Sequence, residues 1–191
     1  MTRIIIRYFY ISLLGLSISC GGICAPIIEC SNKIPLQLIS KLNAKFSEFN
    51  IPYLRNLDPK NIDFDLSDGG DGCFAVTSGK FGGDGKRQDY AVLLVSRIGN
   101  KPKLIAALSR HNTWNIYPLQ TFCDKINFCY VKTKQSGTYN RTQSLDFGPT
   151  EEKDLEHLVS KNQVILTGTL ESTEIVYAYI NGEWFHVWIG D

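Results

Sequence analysis

The strongest constraint on the fold lies at the end of the chain. Glu174–Ile180 and Glu183–Ile189 are aromatic and β-branched runs joined by Asn181-Gly182. Asn-Gly takes the positive φ values of a type I′ turn, whose twist matches paired antiparallel strands. A C-terminal β-hairpin is therefore expected. Trp184 and Trp188 alternate on one face of its second strand, and a terminal hairpin must bury one face, so both are expected in the core.

Upstream, further strand signals follow one another. Cys73–Phe81 alternates, Asp89–Arg97 contains Ala91-Val92-Leu93-Leu94-Val95, and Pro102–Leu108 follows after Gly99-Asn100. These runs are short and bounded by turn residues, which favours strands over helices. Thr113–Phe122 and Phe128–Lys134 continue the pattern. Two segments read differently. Pro35–Asn50 places Leu36, Ile39, Leu42, Phe46 and Phe49 at helical spacing, with Pro35 suited to the first turn and Pro52 blocking extension. Thr150–Val159 reads as a short second helix, with Glu151 and Glu152 in its first turn. Residues 51–72 read as an acidic, irregular loop. The expected class is α+β: a mainly antiparallel sheet with an N-terminal amphipathic helix, a short second helix and the C-terminal hairpin.

The 191 residues suit one domain. Residues 1–25 stand apart: Arg3 and Arg7, an uncharged apolar run from Tyr8 to Ile18, then Ser19-Cys20-Gly21-Gly22-Ile23-Cys24-Ala25. This is the layout of a secretory signal peptide, and the apolar run is shorter than a membrane span. The expectation is a signal peptide over 1–25 and one globular α+β domain over 26–191. Cleavage after Cys24 or Ala25 would release a periplasmic or secreted protein. Acylation of Cys20 would instead leave a lipid-anchored envelope protein. An integral membrane protein is not expected. Without residues 1–25 the chain carries 18 basic and 19 acidic residues, so it lacks the electrostatic footprint of a nucleic-acid binder.

Soluble release leaves Cys30, Cys73, Cys123 and Cys129, an even number that suits two disulfides in an oxidising compartment. Four cysteines allow three pairings. Cys123 and Cys129 enclose a short loop, which leaves Cys30 for Cys73. No CxxC spacing or neighbouring histidine supports a metal site instead.

Catalytic patterns are absent from the sequence. His111, His157 and His186 fall in separate segments, and no GxSxG, HExxH or phosphate-binding glycine loop occurs. Asp63, Asp65, Asp68 and Asp71 do not follow the EF-hand spacing and read as a solvated loop.

The most distinctive stretch is Ser78-Gly79-Lys80-Phe81-Gly82-Gly83-Asp84-Gly85-Lys86-Arg87-Gln88-Asp89-Tyr90-Ala91-Val92-Leu93. It resembles the FG-GAP (VCBS-like) turn, in which glycines permit a tight loop and alternating acidic residues can hold calcium. Lys80 stands where the first aspartate belongs, Gly82 replaces the next acidic or amide residue, and one extra residue separates Asp84 from Asp89. Lys80 and Gly82 weigh against calcium, and no other cofactor is expected. A Lys80 salt bridge to Asp84 or Asp89 would keep the turn without metal.

The segment Leu170–Asp191 is similar to the closing hairpin of small exported bacterial proteins that carry one such turn. The resemblance implies a family of mostly uncharacterised periplasmic proteins, some of them like immunity proteins or lysozyme inhibitors. It suggests a non-enzymatic binding protein that blocks a peptidoglycan-degrading enzyme or toxin through protruding loops. Candidate contact residues are Lys80, Lys86 and Arg87 on the first loop, and Ser136 and Tyr139 within Lys132–Arg141. Ser136-Gly137-Thr138-Tyr139 is similar to the Ser-Gly-x-x-Tyr motif of one lysozyme-inhibitor family, one residue shorter. A structural or adhesive envelope protein, or a hydrolase, are the alternatives.

Overall fold

The computed structural model describes residues 30–53, 57–67, 69–145, 148–169, 172 and 174–190. The expected signal peptide, with Cys20 and Cys24, lies outside the described residues, as do Asp68 and parts of the C-terminal motif (Leu170, Glu171, Thr173 and Asp191). Two helices, α1 (Leu36–Lys45) and α2 (Pro59–Ser67), accompany eleven strands among the described residues. These are β1 (Phe49–Asn50), β2 (Val76–Gly79), β3 (Asp89–Ser96), β4 (Pro102–Arg110), β5 (Thr113–Leu119), β6 (Cys129–Lys134), β7 (Gly137–Asn140), β8 (His157–Ser160), β9 (Val164–Thr169), β10 (Glu174–Ile180) and β11 (Glu183–Trp188).

Every strand pairing is antiparallel. The first sheet runs β1-β3-β4-β5, with β2 pairing β3 beyond β1; the second runs β11-β10-β9-β6; β7 and β8 form a separate pair. The architecture is α+β and dominated by antiparallel sheet. Asn181 and Gly182 have φ of 52° and 97°, and Ile180 faces Glu183 across the turn they form.

The two sheets pack against each other through side chains and along one edge. Ala91, Ala106 and Tyr117 share one face of the first sheet by register, and Tyr117 meets Tyr179 and Trp184 of the second at 5.6 and 6.2 Å. At the seam between β2 and β6, Val131 N–H donates to Phe74 O at 2.7 Å, and the Thr77 and Thr133 hydroxyls are 2.8 Å apart. The far edge strand, β5, is blunted. Pro118 offers no N–H, and Lys45 Nζ donates to Ile116 O at 3.1 Å.

Disulfides join Cys30 to Cys73 (Cα–Cα 5.7 Å) and Cys123 to Cys129 (6.0 Å). They suit an oxidising compartment. Among the described residues no helix is long and apolar enough to cross a membrane.

Three expectations need correcting. The helix expected over Pro35–Asn50 stops at Lys45, because Phe49 and Asn50 pair with Ser96 and Val95 as β1. Its buried positions are Leu38 and Leu42, while Leu36 is exposed. The segment expected as irregular loop contains α2. Asp58 accepts the Lys60 N–H at 2.8 Å and Pro59 opens the helix, an N-terminal signal that was present in the sequence. Thr150–Val159 is not a helix: Asp154 bridges to His186 in parallel register, and His157–Ser160 pairs with β7. Strand partners outweigh the weak local preference there, since a short isolated helix is marginal in water.

Candidate functional site

The β2–β3 connection, residues 80–88, is organised by a single carboxylate. Asp89, at the start of β3, is 1% exposed. Its Oδ2 accepts backbone N–H groups from Phe81, Gly82 and Gly83 at 2.8, 3.1 and 3.0 Å, and its Oδ1 accepts Ser109 N–H at 2.8 Å. Four donors compensate a buried carboxylate that would otherwise be costly to desolvate. Such an arrangement needs backbone amides converging at close range, and two glycines allow it. A Cβ on Gly83 would stand 2.2 Å from Asp89 Oδ1 and 2.7 Å from Ser109 O. Gly82 has φ of +136°, and a Cβ there would meet Tyr179 Cδ1 at 2.8 Å.

The rest of the loop is tied at several points. The fully buried Phe81 ring anchors its start. Arg110 Nη2 donates to Gly82 O at 2.7 Å, and the Arg110 guanidinium lies 5.8 Å from the centre of the Tyr179 ring. Asp84 accepts N–H groups from Lys86 at 3.1 Å and from His111 at 2.9 Å. The bond from Lys86 N–H is the main reason its carboxyl is held below the usual range, with that from His111 adding to it. His111 and Asn112, both at positive φ, form the β4–β5 turn that Asp84 grips.

Lys80 does not form the expected salt bridge to Asp84 or Asp89. Its ammonium donates to the carbonyl oxygens of Gly85 at 2.8 Å and Arg87 at 3.4 Å, closing the loop on itself. The oxygens of Asp84 and Asp89 are turned toward N–H donors, and an ammonium occupies the loop's carbonyls. These residues do not fit calcium. Among the described residues no group of three or more His, Cys, Asp or Glu side chains is arranged to hold a metal. Of the acidic residues in the preceding segment, Asp65 and Asp71 are instead paired with Lys132 and Lys33.

The remaining candidates fall as follows. Lys86 and Arg87 are exposed near the tip of the loop. Ser136 is exposed in the β6–β7 turn, while Tyr139 is half-buried and donates its hydroxyl to Gln135 O. Burial pushes the Tyr139 hydroxyl pKa up. The structure brings the two loops together through Gln163. Its Oε1 accepts Lys80 N–H at 2.8 Å, and its Nε2 reaches Gln135 Oε1 at 3.5 Å. Arg141, at the end of the second loop, is a buried cation rather than a surface one: its side chain is 4% exposed, and Nη1 meets Asp154 Oδ1 at 2.7 Å.

That ion pair belongs to a buried cluster the sequence did not disclose. Asp154 also accepts Thr150 N–H at 3.2 Å, and His186 Nε2 stands 3.8 Å from its Oδ1. Burial lowers the His186 pKa, with Arg141 acting the same way and Asp154 and Glu151 opposing. No local pattern links Arg141, Asp154 and His186, because they meet only through the pairing of the Asp154 segment with β11. Trp184 is buried as expected, whereas Trp188 is half-buried beside Phe122 at 4.4 Å. No protein family, curated protein sequence or solved structure matches the chain.

Proposed function

We propose that the chain is an exported binding protein of the FG-GAP-like group it resembles, acting as an immunity or inhibitor protein. Its partner is a carboxylate-bearing protein, a peptidoglycan-degrading enzyme or toxin, and it performs no catalysis of its own. The observation that carries the reading is the display of Lys86 and Arg87. Both are exposed on a loop whose backbone is held from below by Asp89 and from within by Lys80. A loop already fixed in one conformation loses little entropy on binding, so its interactions convert more fully into affinity. Hydrolases that cleave glycosidic bonds carry paired carboxylates in a cleft, the chemistry that two protruding cations complement. Ser136 and Tyr139, adjoining through Gln163, extend the same contact surface.

The test is inhibition of a panel of purified peptidoglycan hydrolases by the purified protein and by a Lys86→Glu/Arg87→Glu variant. Inhibition of at least one enzyme is expected, weakened at least about 10-fold by the double substitution, about 1.4 kcal/mol, and more sensitive to salt in the wild type. An inhibitor unaffected by charge reversal would move the contact elsewhere on the surface. No inhibition of any enzyme, its own strain's toxins included, would leave an envelope protein of structural role as the reading.

A further inference from the structure

The edge strand β5 and the tip of the β10–β11 hairpin border an open cleft of about 370 Å³. Tyr117, Tyr177 and Trp184 supply its aromatic wall, and His186 lies beside them. Tyr117 meets Trp184 edge-on at 6.2 Å, and Tyr177 lies 5.4 Å from the His186 ring. The Tyr177 hydroxyl is occupied, donating to Gln120 O at 2.9 Å.

The charges around the cleft do not balance. Lys153 and Glu183, both on the rim, pair with each other at 3.6 Å. Asp154, behind His186, is compensated by Arg141. Glu151 also lines the cleft, is exposed, and pairs with no cation among the described residues. Its charge reaches inward: burial pushes the Tyr177 hydroxyl pKa up, and Glu151 and Asp154 push it further. Burial lowers the His186 pKa, which disfavours a positive charge on it. The cleft is thus aromatic, and one carboxylate is left uncompensated.

We propose that this cleft binds a small alkylammonium head group, seated against Tyr117, Tyr177 and Trp184 with Glu151 as its counter-charge. Aromatic faces carry a negative quadrupole and attract cations. The volume lies within the range of small-molecule sites. An anion would be repelled by Glu151. A neutral sugar would leave the Glu151 charge without a counter-charge.

The test is an NMR titration of the ¹⁵N-labelled protein with tetramethylammonium chloride, against sodium chloride at equal ionic strength and N-acetylglucosamine. Saturable shifts at Tyr177, Trp184 and His186 are expected with the ammonium ion alone. Glu151→Gln should weaken binding about 10-fold, equivalent to about 1.4 kcal/mol. Lys153→Gln, which releases Glu183 from its ion pair, should tighten it. Shifts that do not saturate, equal binding by Glu151→Gln, or saturable binding of N-acetylglucosamine in its place would each overturn the proposal. Binding here does not depend on the inhibitor reading. The Lys86→Glu/Arg87→Glu variant should retain ammonium binding, and Glu151→Gln should retain enzyme inhibition, so failure of one reading is separable from failure of the other.

Discussion

Replacing Asp89 by Asn tests whether one buried carboxylate organises the β2–β3 loop. The substitution keeps the shape of the side chain but leaves one acceptor oxygen and one NH₂ group. Three N–H donors converge on Oδ2 and one on Oδ1. The best arrangement therefore keeps the amide oxygen toward Phe81, Gly82 and Gly83 and turns NH₂ toward Ser109 N–H. That leaves the Ser109 N–H and the introduced NH₂ facing each other, donors with no acceptor between them, a penalty of at least about 1–3 kcal/mol. The three surviving bonds also change from charge-assisted to neutral, losing about 1 kcal/mol each. Removing a buried charge recovers part of this through relief of desolvation. The net expectation is a loss of about 3 kcal/mol. For a chain of this size that lowers Tm by about 6–12 °C.

The assay is thermal and urea unfolding of wild type and Asp89→Asn, with hydrogen exchange on the amides of residues 81–83 and 109. The Ser109 amide should lose protection first. Added calcium should leave both unfolding midpoints in place, since Lys80 already bonds the loop's carbonyls. A Tm drop below about 2 °C, roughly 1 kcal/mol or less, or unchanged exchange at residue 109, would refute the account of Asp89 as the loop's organiser.

The disulfides should contribute unequally. By loop-closure entropy the Cys30–Cys73 bridge, spanning a separation of 43 residues, is worth about 4 kcal/mol. Cys123–Cys129, spanning 6, is worth about 2 kcal/mol. Urea midpoints of the paired Cys→Ser variants check the order, and an equal or inverted ranking would count against it. His186 should make stability depend on pH. Its native pKa lies below the ordinary 6.5, so an unfolded chain takes up a proton that the native protein resists. Its contribution is intact above pH 6.5 and is lost as pH falls through the native value, with a slope of at most about 1.4 kcal/mol per pH unit. The difference in unfolding free energy between wild type and His186→Gln, followed downward from pH 7, should change in that sense. A constant difference would show that His186 carries no such linkage.

What could be read from the chain alone was what depends on neighbours in sequence. Asn181-Gly182 dictates its turn because only residues that tolerate positive φ close a two-residue hairpin, wherever the strands later pack. The runs around Leu93 and Ile105 are strands for a similar reason: they are short, apolar on both faces and bounded by turns. Asp58-Pro59 was equally local, and α2 was open to the same reasoning. The sequence also placed an unusual glycine-rich turn at residues 78–93.

Tertiary structure decided everything that required distant partners. Whether Thr150–Val159 became helix or strand depended on β7 and His186, since a segment that short is held by packing rather than by its own propensity. Lys80 and Asp89 could be recognised as charged, but the ammonium's acceptors and the carboxylate's fourth donor, Ser109, follow from how the loop folds against the β4–β5 turn. Arg141, at the end of the Lys132–Arg141 segment, is buried against Asp154. The cleft beside Trp184 exists only because β5 and the terminal hairpin, far apart in sequence, come to line it together. Local geometry is written in short-range sterics and hydrogen bonding, whereas burial, and with it the meaning of each charge, is set only when the two sheets close.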